Sequence, residues 1–178
     1  MDIDVIVVSI LSATLRLAAP LTLGALSGIF CERSGVVNIA IEGMMLTGAF
    51  FGFLIALYTR SLWAGLLAAM AVALVMSLLH GVLSIHFKVD QIISGTVINI
   101  LAVGVTGYLH QQLFEQNMPA GVGTFAAIKI PFLSDIPVWG RLFQLSPIIL
   151  GAIVLVFVTH VVLFYTRWGL RTRAVGEH

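Results

Sequence analysis

The chain has 178 residues, of which 60% are hydrophobic and only 10% charged, with a formal net charge of +1; its mean hydropathy is +1.09. Soluble domains carry about 25% charged residues, and a chain this short has too little interior to hide so much apolar surface from water, so a lipid bilayer is the expected solvent. The single cysteine, Cys31, excludes an internal disulfide, and no run of Lys/Arg marks a nucleic-acid surface, so no nucleic-acid partner is expected.

In chain order, apolar runs of about twenty residues or more read as spanning helices. The first runs from Val5 to Phe30, interrupted by Arg16 and Pro20. Pro20 predicts a kink or break, and Arg16 snorkels only if the helix is offset, so it is expected to face protein or water. The residues before this run, Met1–Asp4, lack the Lys/Arg of a signal peptide, and the run is too long for its apolar core, so it reads as a retained membrane segment. The second run is Val36–Tyr58, the third Leu62–Ile85 and the fourth Ile92–Phe114. A polar stretch follows, Glu115–Ser146, with Pro119, Pro131 and Pro137; it is long for a connection, and Phe125, Phe132, Trp139 and Phe143 predict a folded cap or interfacial segment. The fifth run is Pro147–Tyr165, and a basic tail, Thr166–His178, closes the chain. Trp139 and Trp168 are expected to anchor at the membrane boundary.

The fold class is therefore all-α: a polytopic transmembrane bundle of about five spanning segments, forming one domain over 1–178, with a broken helix near residues 31–36. Lipid forces backbone groups to pair within each segment, and the alternation of an outer-membrane barrel is absent. Arg33, Lys88, Arg167, Arg171 and Arg173 fall on one side, against Arg60, Lys129 and Arg141 with Asp2, Asp4, Glu115 and Asp135 on the other. The basic excess predicts an outside N-terminus, an extracytoplasmic loop or cap at 115–146 and a cytoplasmic segment at 166–178.

Two constellations carry the polar chemistry. Around the expected break, Ser34 is placed to cap a helix beginning near Gly35, and Asn38 and Glu42, four apart, share one face of it. A carboxylate in a spanning helix faces a cavity or a partner, so these two residues either line a polar pathway or hold the broken helix in shape. On the fourth run, Thr96, Asn99, Val103, Thr106 and His110 recur at steps of three and four and form a stripe suited to packing or to lining a path, with Thr96 and Asn99 foremost. The pairs Gly24/Gly28 and Gly48/Gly52 have the spacing that lets helices approach closely. His80, His86, His110 and His160 lack a metal-ligand spacing; His80 and His160 read as single interhelical hydrogen-bond donors. There is no phosphate-binding loop, nucleophile elbow or paired-Cys motif. No catalytic residue, metal or cofactor is assigned, and the chain is not expected to be an enzyme.

Several segments resemble one family. Leu23-Gly-Ala-Leu-Ser-Gly-Ile-Phe-Cys-Glu-Arg-Ser-Gly-Val-Val-Asn-Ile-Ala-Ile-Glu-Gly-Met-Met45 is similar to the N-terminal signature of bacterial ABC importer permeases, in the branch that handles nucleosides and simple sugars and is related to ribose and branched-chain amino acid permeases. Ser94–Ile100, Ile130–Pro137 and the tail Gly169–Glu177 also look like that branch. The resemblance implies a multi-pass subunit of the bacterial plasma (inner) membrane, embedded in lipid and paired with a second permease, homologous or identical. It further implies separate ABC ATPase subunits that hydrolyse ATP and an extracytoplasmic solute-binding protein. Gly169, Arg171, Arg173, Ala174, Gly176 and Glu177 would then lie on the coupling segment that docks the ATPase, while Asn38, Glu42, Thr96 and Asn99 would bound the translocation path. Members of the branch continue past the tail motif, with an Asn-Pro pair near its end and several more helices, so a C-terminally truncated permease is expected. Rival readings are a gradient-driven carrier or channel, which needs intramembrane acid/base pairs of which Glu42 is the one good candidate, and a non-transporting membrane scaffold.

Overall fold

In lipid, a backbone amide or carbonyl left outside a helix has no water to turn to, and each apolar run of this chain is helical over most of its length. In the computed structural model, which describes residues 3–115, 121–129 and 139–177, the long helices are α1 (Ile3–Arg33), α2 (Ile41–Thr59), α3 (Leu62–Gly81, continued by a π-helical turn at Val82–His86), α4 (Gln91–Phe114) and α5 (Pro147–Tyr165). All five are long and apolar enough to cross a bilayer. A short helix, α6 (Arg167–Gly176), follows. Within Glu115–Ser146 the described residues include a two-residue strand pair, Ile128 opposite Leu145 and Lys129 opposite Gln144, and a 3-10 turn at Trp139–Phe143. Asp2, Pro119, Pro131, Phe132, Asp135 and Pro137 lie outside the described residues.

Helix starts follow local chemistry where a polar residue is at hand. Ser61 accepts a hydrogen bond from the amide of Ala64 (3.4 Å), Asp90 accepts from Ile92 and Ile93 (2.9 and 3.0 Å), and Ser146 accepts from Ile149 (3.4 Å) ahead of Pro147. Thr166 caps α6 in the same way, accepting from Gly169 at 3.1 Å while donating to the Val162 carbonyl at 2.6 Å.

Pro20 does not break α1. The helix runs through it, and the cost is confined to the carbonyl four residues earlier, on Arg16, which loses its usual amide donor. The interruption falls instead at 34–40, between α1 and α2.

The chain divides into two compact units. One comprises Met1–Ser27 and Phe125–Ala174; its core is Ala19 against Ile149 and Ala152, flanked by Leu23 and Leu145. The other comprises Gly28–Thr124 and Val175–His178, and its core is Ala40, Met44 and Ile98 with Met76 and Leu83 around it. In this second unit α2 and α3 meet along small residues. A Cβ added to Gly48 would stand 3.3 Å from the Ala69 carbonyl oxygen, one on Gly52 3.0 Å from Ala69 Cβ, and one on Gly65 2.6 Å from the Gly52 carbonyl oxygen. The backbones are therefore in van der Waals contact with no room for a larger residue.

Candidate functional site

The break at 34–40 leaves backbone groups that must find partners, and α4 supplies them. Gln91, in the first turn of α4, accepts from the amide of Val37 through Oε1 at 2.6 Å. Four residues on, Gly95 lets the segment lie directly against the helix: a Cβ there would be 3.1 Å from the Ala40 nitrogen and 3.1 Å from Ile39 Cβ. Four further on, Asn99 uses both ends of its amide, accepting from the Gly43 amide (2.7 Å) and donating to the Ile39 carbonyl (3.0 Å). The irregular segment thus climbs alongside α4 for two turns, about 12 Å at 1.5 Å per residue. Irregular backbone between membrane spans is tolerated where protein covers it, and here Gln91, Gly95 and Asn99, spaced four apart on one face, do so.

This arrangement also starts α2. Ala40 provides no side-chain cap. Asn38 folds back so that its Oδ1 accepts from the Ala40 amide at 3.0 Å, while its Nδ2 approaches the sulfurs of Cys31 (3.7 Å) and Met44 (3.8 Å). Asn99 then serves as a remote cap for the third residue of the helix. Asn38 and Glu42 accordingly do not share a helical face, because α2 begins at Ile41, after Asn38. Ser34 does not cap a helix either; its hydroxyl donates to the Cys31 carbonyl at 2.8 Å and closes the end of α1.

Glu42, Gly43 and Leu46 of α2 face Asn99, Ile100 and Val103 of α4 across a cleft of about 250 Å³. Glu42 is exposed, and among the described residues no ion pair is made to it. Of the path candidates, Glu42 and Asn99 are brought together here. Thr96 is not among the lining residues; it is exposed and its hydroxyl donates to Ile92 of its own helix at 2.8 Å. The stripe of Thr96, Asn99, Val103, Thr106 and His110 does not act as a unit. The inward face of α4 carries Ser94, Gly95, Ile98, Ala102 and Thr106, whereas Val103 and His110 are exposed.

A second polar cluster is fully buried. His80 of α3, 2% exposed, holds the Ser94 hydroxyl of α4 at 2.8 Å through Nδ1, and Ser94 lies 3.4 Å from the Ser84 hydroxyl in the π-helical turn. The wider turn, closed by the Phe87 amide on the Val82 carbonyl at 3.1 Å, contains Ser84. His160, by contrast, lies against Phe164 and Tyr165 of its own segment. In the other unit, Arg16 lines a cleft of about 630 Å³ with Ser9, Ser12 and Gln144 among its neighbours.

The basic tail is helical, and its residues separate by role. Gly169 is buried where a Cβ would collide with the Val162 and Leu163 carbonyls, which fixes the sharp corner between α5 and α6. Arg173 is half-buried with its guanidinium 5.1 Å from the centre of the Phe164 ring. Gly176 abuts the Arg33 carbonyl and the Gly35 amide at the end of α1. Gly35 there has φ +81°, a left-handed conformation natural to glycine after a helix; a Cβ on it would also stand 3.2 Å from Gly176 Cα. Arg171, Ala174 and Glu177 remain exposed.

Among the described residues, five helices long and apolar enough to cross a membrane, an unwound segment before the second and a short basic helix after the fifth fit a multi-pass membrane protein, and the chain belongs to the family described as branched-chain amino acid transport system / permease component, whose model matches residues 10–178. Among individual proteins it is 43% identical to the guanosine ABC transporter permease protein NupQ of Bacillus subtilis, over all of this chain and 59% of that one. It is 35% identical to the nucleoside ABC transporter permease protein NupC of Lactococcus lactis subsp. cremoris, over 90% of this chain and 53% of the relative. A second guanosine permease protein of B. subtilis, NupP, is 25% identical over 92% of this chain and 48% of its own length. The chain thus spans about half the length of the curated relatives it matches. No solved structure matches it.

Proposed function

We propose that this chain belongs to the membrane-spanning permease subunit of an ATP-driven importer whose solute is a nucleoside. The observation that carries the reading is the 43% identity, along the entire chain, to a guanosine ABC transporter permease protein. The sequence contributes no phosphate-binding loop, so the energy enters from ABC ATPase subunits. The exposed side of α6, with Arg171 and Ala174, and Glu177 just after it are the residues offered to them; Gly169 shapes the start of that helix, Gly176 ends it against Gly35, and Arg173 braces it on Phe164. The basic excess near Arg33, Lys88 and α6 supports a cytoplasmic side for these parts and the opposite side for 115–146, where a solute-binding protein would deliver the nucleoside. Similarity to two guanosine permease proteins of one organism, stronger to one than to the other, favours a second, homologous permease as the partner across the path.

Glu42 and Asn99 flank the path in this reading. Asn38 and Thr96, which bond within their own segments, shape its walls. The test is uptake of labelled guanosine into vesicles carrying the assembled transporter. ATP-dependent accumulation is expected; accumulation that is equal without ATP overturns the reading in favour of a gradient-driven carrier. Arg171→Glu is expected to weaken co-purification of the ATPase, and unaltered association and uptake would remove α6 from the docking surface.

A further inference from the structure

The cleft between α2 and α4 has one ionisable group and otherwise little polarity. Leu46, Ile100 and Val103 make up its apolar walls, the buried Gly43 packs directly on Asn99 and Ala102 of α4, and Glu42 and Asn99 are its polar residues. Asn99 is committed to the Gly43 amide and the Ile39 carbonyl, which leaves one Nδ2 hydrogen. The charged oxygens of Glu42 are acceptors with no donor pair from the described residues. A sugar, with hydroxyls all round, needs donors and acceptors on several walls, and this cleft does not have them. A flat heteroaromatic ring with an apolar face and two adjacent N–H groups on one edge matches it. At about 250 Å³ the cleft is just under the range of pockets for drug-sized ligands, about 300–1,000 Å³, a size suited to one base.

The geometry points to Glu42 as the residue that selects guanine among nucleobases, its two carboxylate oxygens accepting the N1–H and the exocyclic N2–H while the ring lies on Leu46, Ile100 and Val103. This rests on the nucleoside reading above and goes beyond it by assigning the base specificity to one side chain. Paired N–H donors facing a carboxylate form a charge-assisted, bidentate contact. Adenine presents a donor and an acceptor on the same edge, so it leaves one Glu42 oxygen facing a lone pair, and a site that hydrogen-bonds two substrate N–H groups disfavours an analogue that lacks one of them. Hypoxanthine keeps N1–H and lacks the exocyclic amine, which places inosine between the two. Asn99 acts as a positioning residue, fixing the first turn of α2 and with it the place of the carboxylate, and its remaining Nδ2 hydrogen suits the purine O6.

The experiment compares uptake of guanosine, inosine and adenosine by the assembled transporter, with this chain as wild type, Glu42→Gln and Glu42→Ala. Wild type is expected to prefer guanosine, then inosine, then adenosine. Glutamine offers one acceptor and one donor, the pattern complementary to adenine, so Glu42→Gln should lower guanosine uptake at least about tenfold, the worth of one hydrogen bond to a charged group, and raise adenosine relative to it. Glu42→Ala should lose guanosine without gaining adenosine. A purely structural Glu42 predicts equal loss for all three solutes, and an uninvolved one predicts no change; either result overturns the assignment while leaving nucleoside transport intact. Wild-type vesicles that take up no nucleoside would instead overturn the nucleoside reading and the assignment with it.

Discussion

Helix α2 is held at its two ends by different means. Toward its C-terminal half, Gly48, Gly52 and Ala56 lie backbone to backbone on Gly65 and Ala69 of α3, and the fit is steric. At its beginning, Gly43 and the unwound residues before it are tied to α4 by hydrogen bonds through Gln91 and Asn99. Lipid is as apolar as any side chain, so the first contact gains little from hydrophobic burial and depends on close packing. The second exists because irregular backbone in a membrane must be satisfied by protein. Both contacts resist added volume, since a Cβ on Gly43 would stand 3.0 Å from Asn99 Cα, and the α4 contact resists loss of polarity as well, on a helix that is anchored on one neighbour and carries Glu42 beside another.

The comparison can be broken most severely at the steric end. Gly65→Leu drives a side chain into the Gly52 carbonyl and Ala56, and the expected outcome is loss of folded, monodisperse protein in detergent, a destabilisation above about 4 kcal/mol; a normal elution profile and unfolding midpoint would show that the two helices are not packed this closely. Asn99→Leu tests the polar end. It keeps bulk but strips partners from the Gly43 amide and the Ile39 carbonyl, at about 1–3 kcal/mol each, measurable as a lowered midpoint of detergent unfolding, whereas Asn99→Asp should retain the Gly43 bond and lose less. Gln91→Ala removes a single bond at the mouth of the break, and a loss of about 1 kcal/mol is expected. If Gln91→Ala proved as costly as Asn99→Leu, the order of importance along α4 would be reversed.

How far these regions could be read in advance differs for a physical reason. The spans depend on local apolarity, so α5 occupies the expected Pro147–Tyr165, and the other boundaries lie within a few residues except at α2, whose apolar run begins at Val36 although the helix begins at Ile41. Four of those five residues are apolar, and the bonds to Gln91 and Asn99 of α4, together with the Asn38 bond to the Ala40 amide and the left-handed turn at Gly35, hold them out of a helix. A cap supplied from 56 residues away is invisible to any local rule, which is why Ser34, a good capping residue in the right place, was the wrong one. Gln91, Gly95 and Asn99 do carry a readable signal in their spacing of four, yet it is overshadowed by the polar series that includes Thr96, whose hydroxyl is satisfied within its own helix. The widened turn at Val82–His86 leaves no mark in hydropathy at all, and its companion His80 is legible only as a hydrogen-bond donor to some neighbouring helix.

The meeting of Gly176 with Gly35 has a consequence for biosynthesis. The turn that ends α1 is made well before Gly176, which comes roughly 140 residues later and packs against it. At about 5–20 residues per second, the first helix and the break wait on the order of 7–30 s with that face uncovered. Until then the left-handed turn at Gly35 must be kept by its own local bonds, those of the Ser34, Gly35 and Val36 amides to the Phe30, Cys31 and Glu32 carbonyls. A nascent chain paused between α4 and α6 is therefore the form in which this junction stands open, and the arrival of Gly176 is what covers the turn at Gly35.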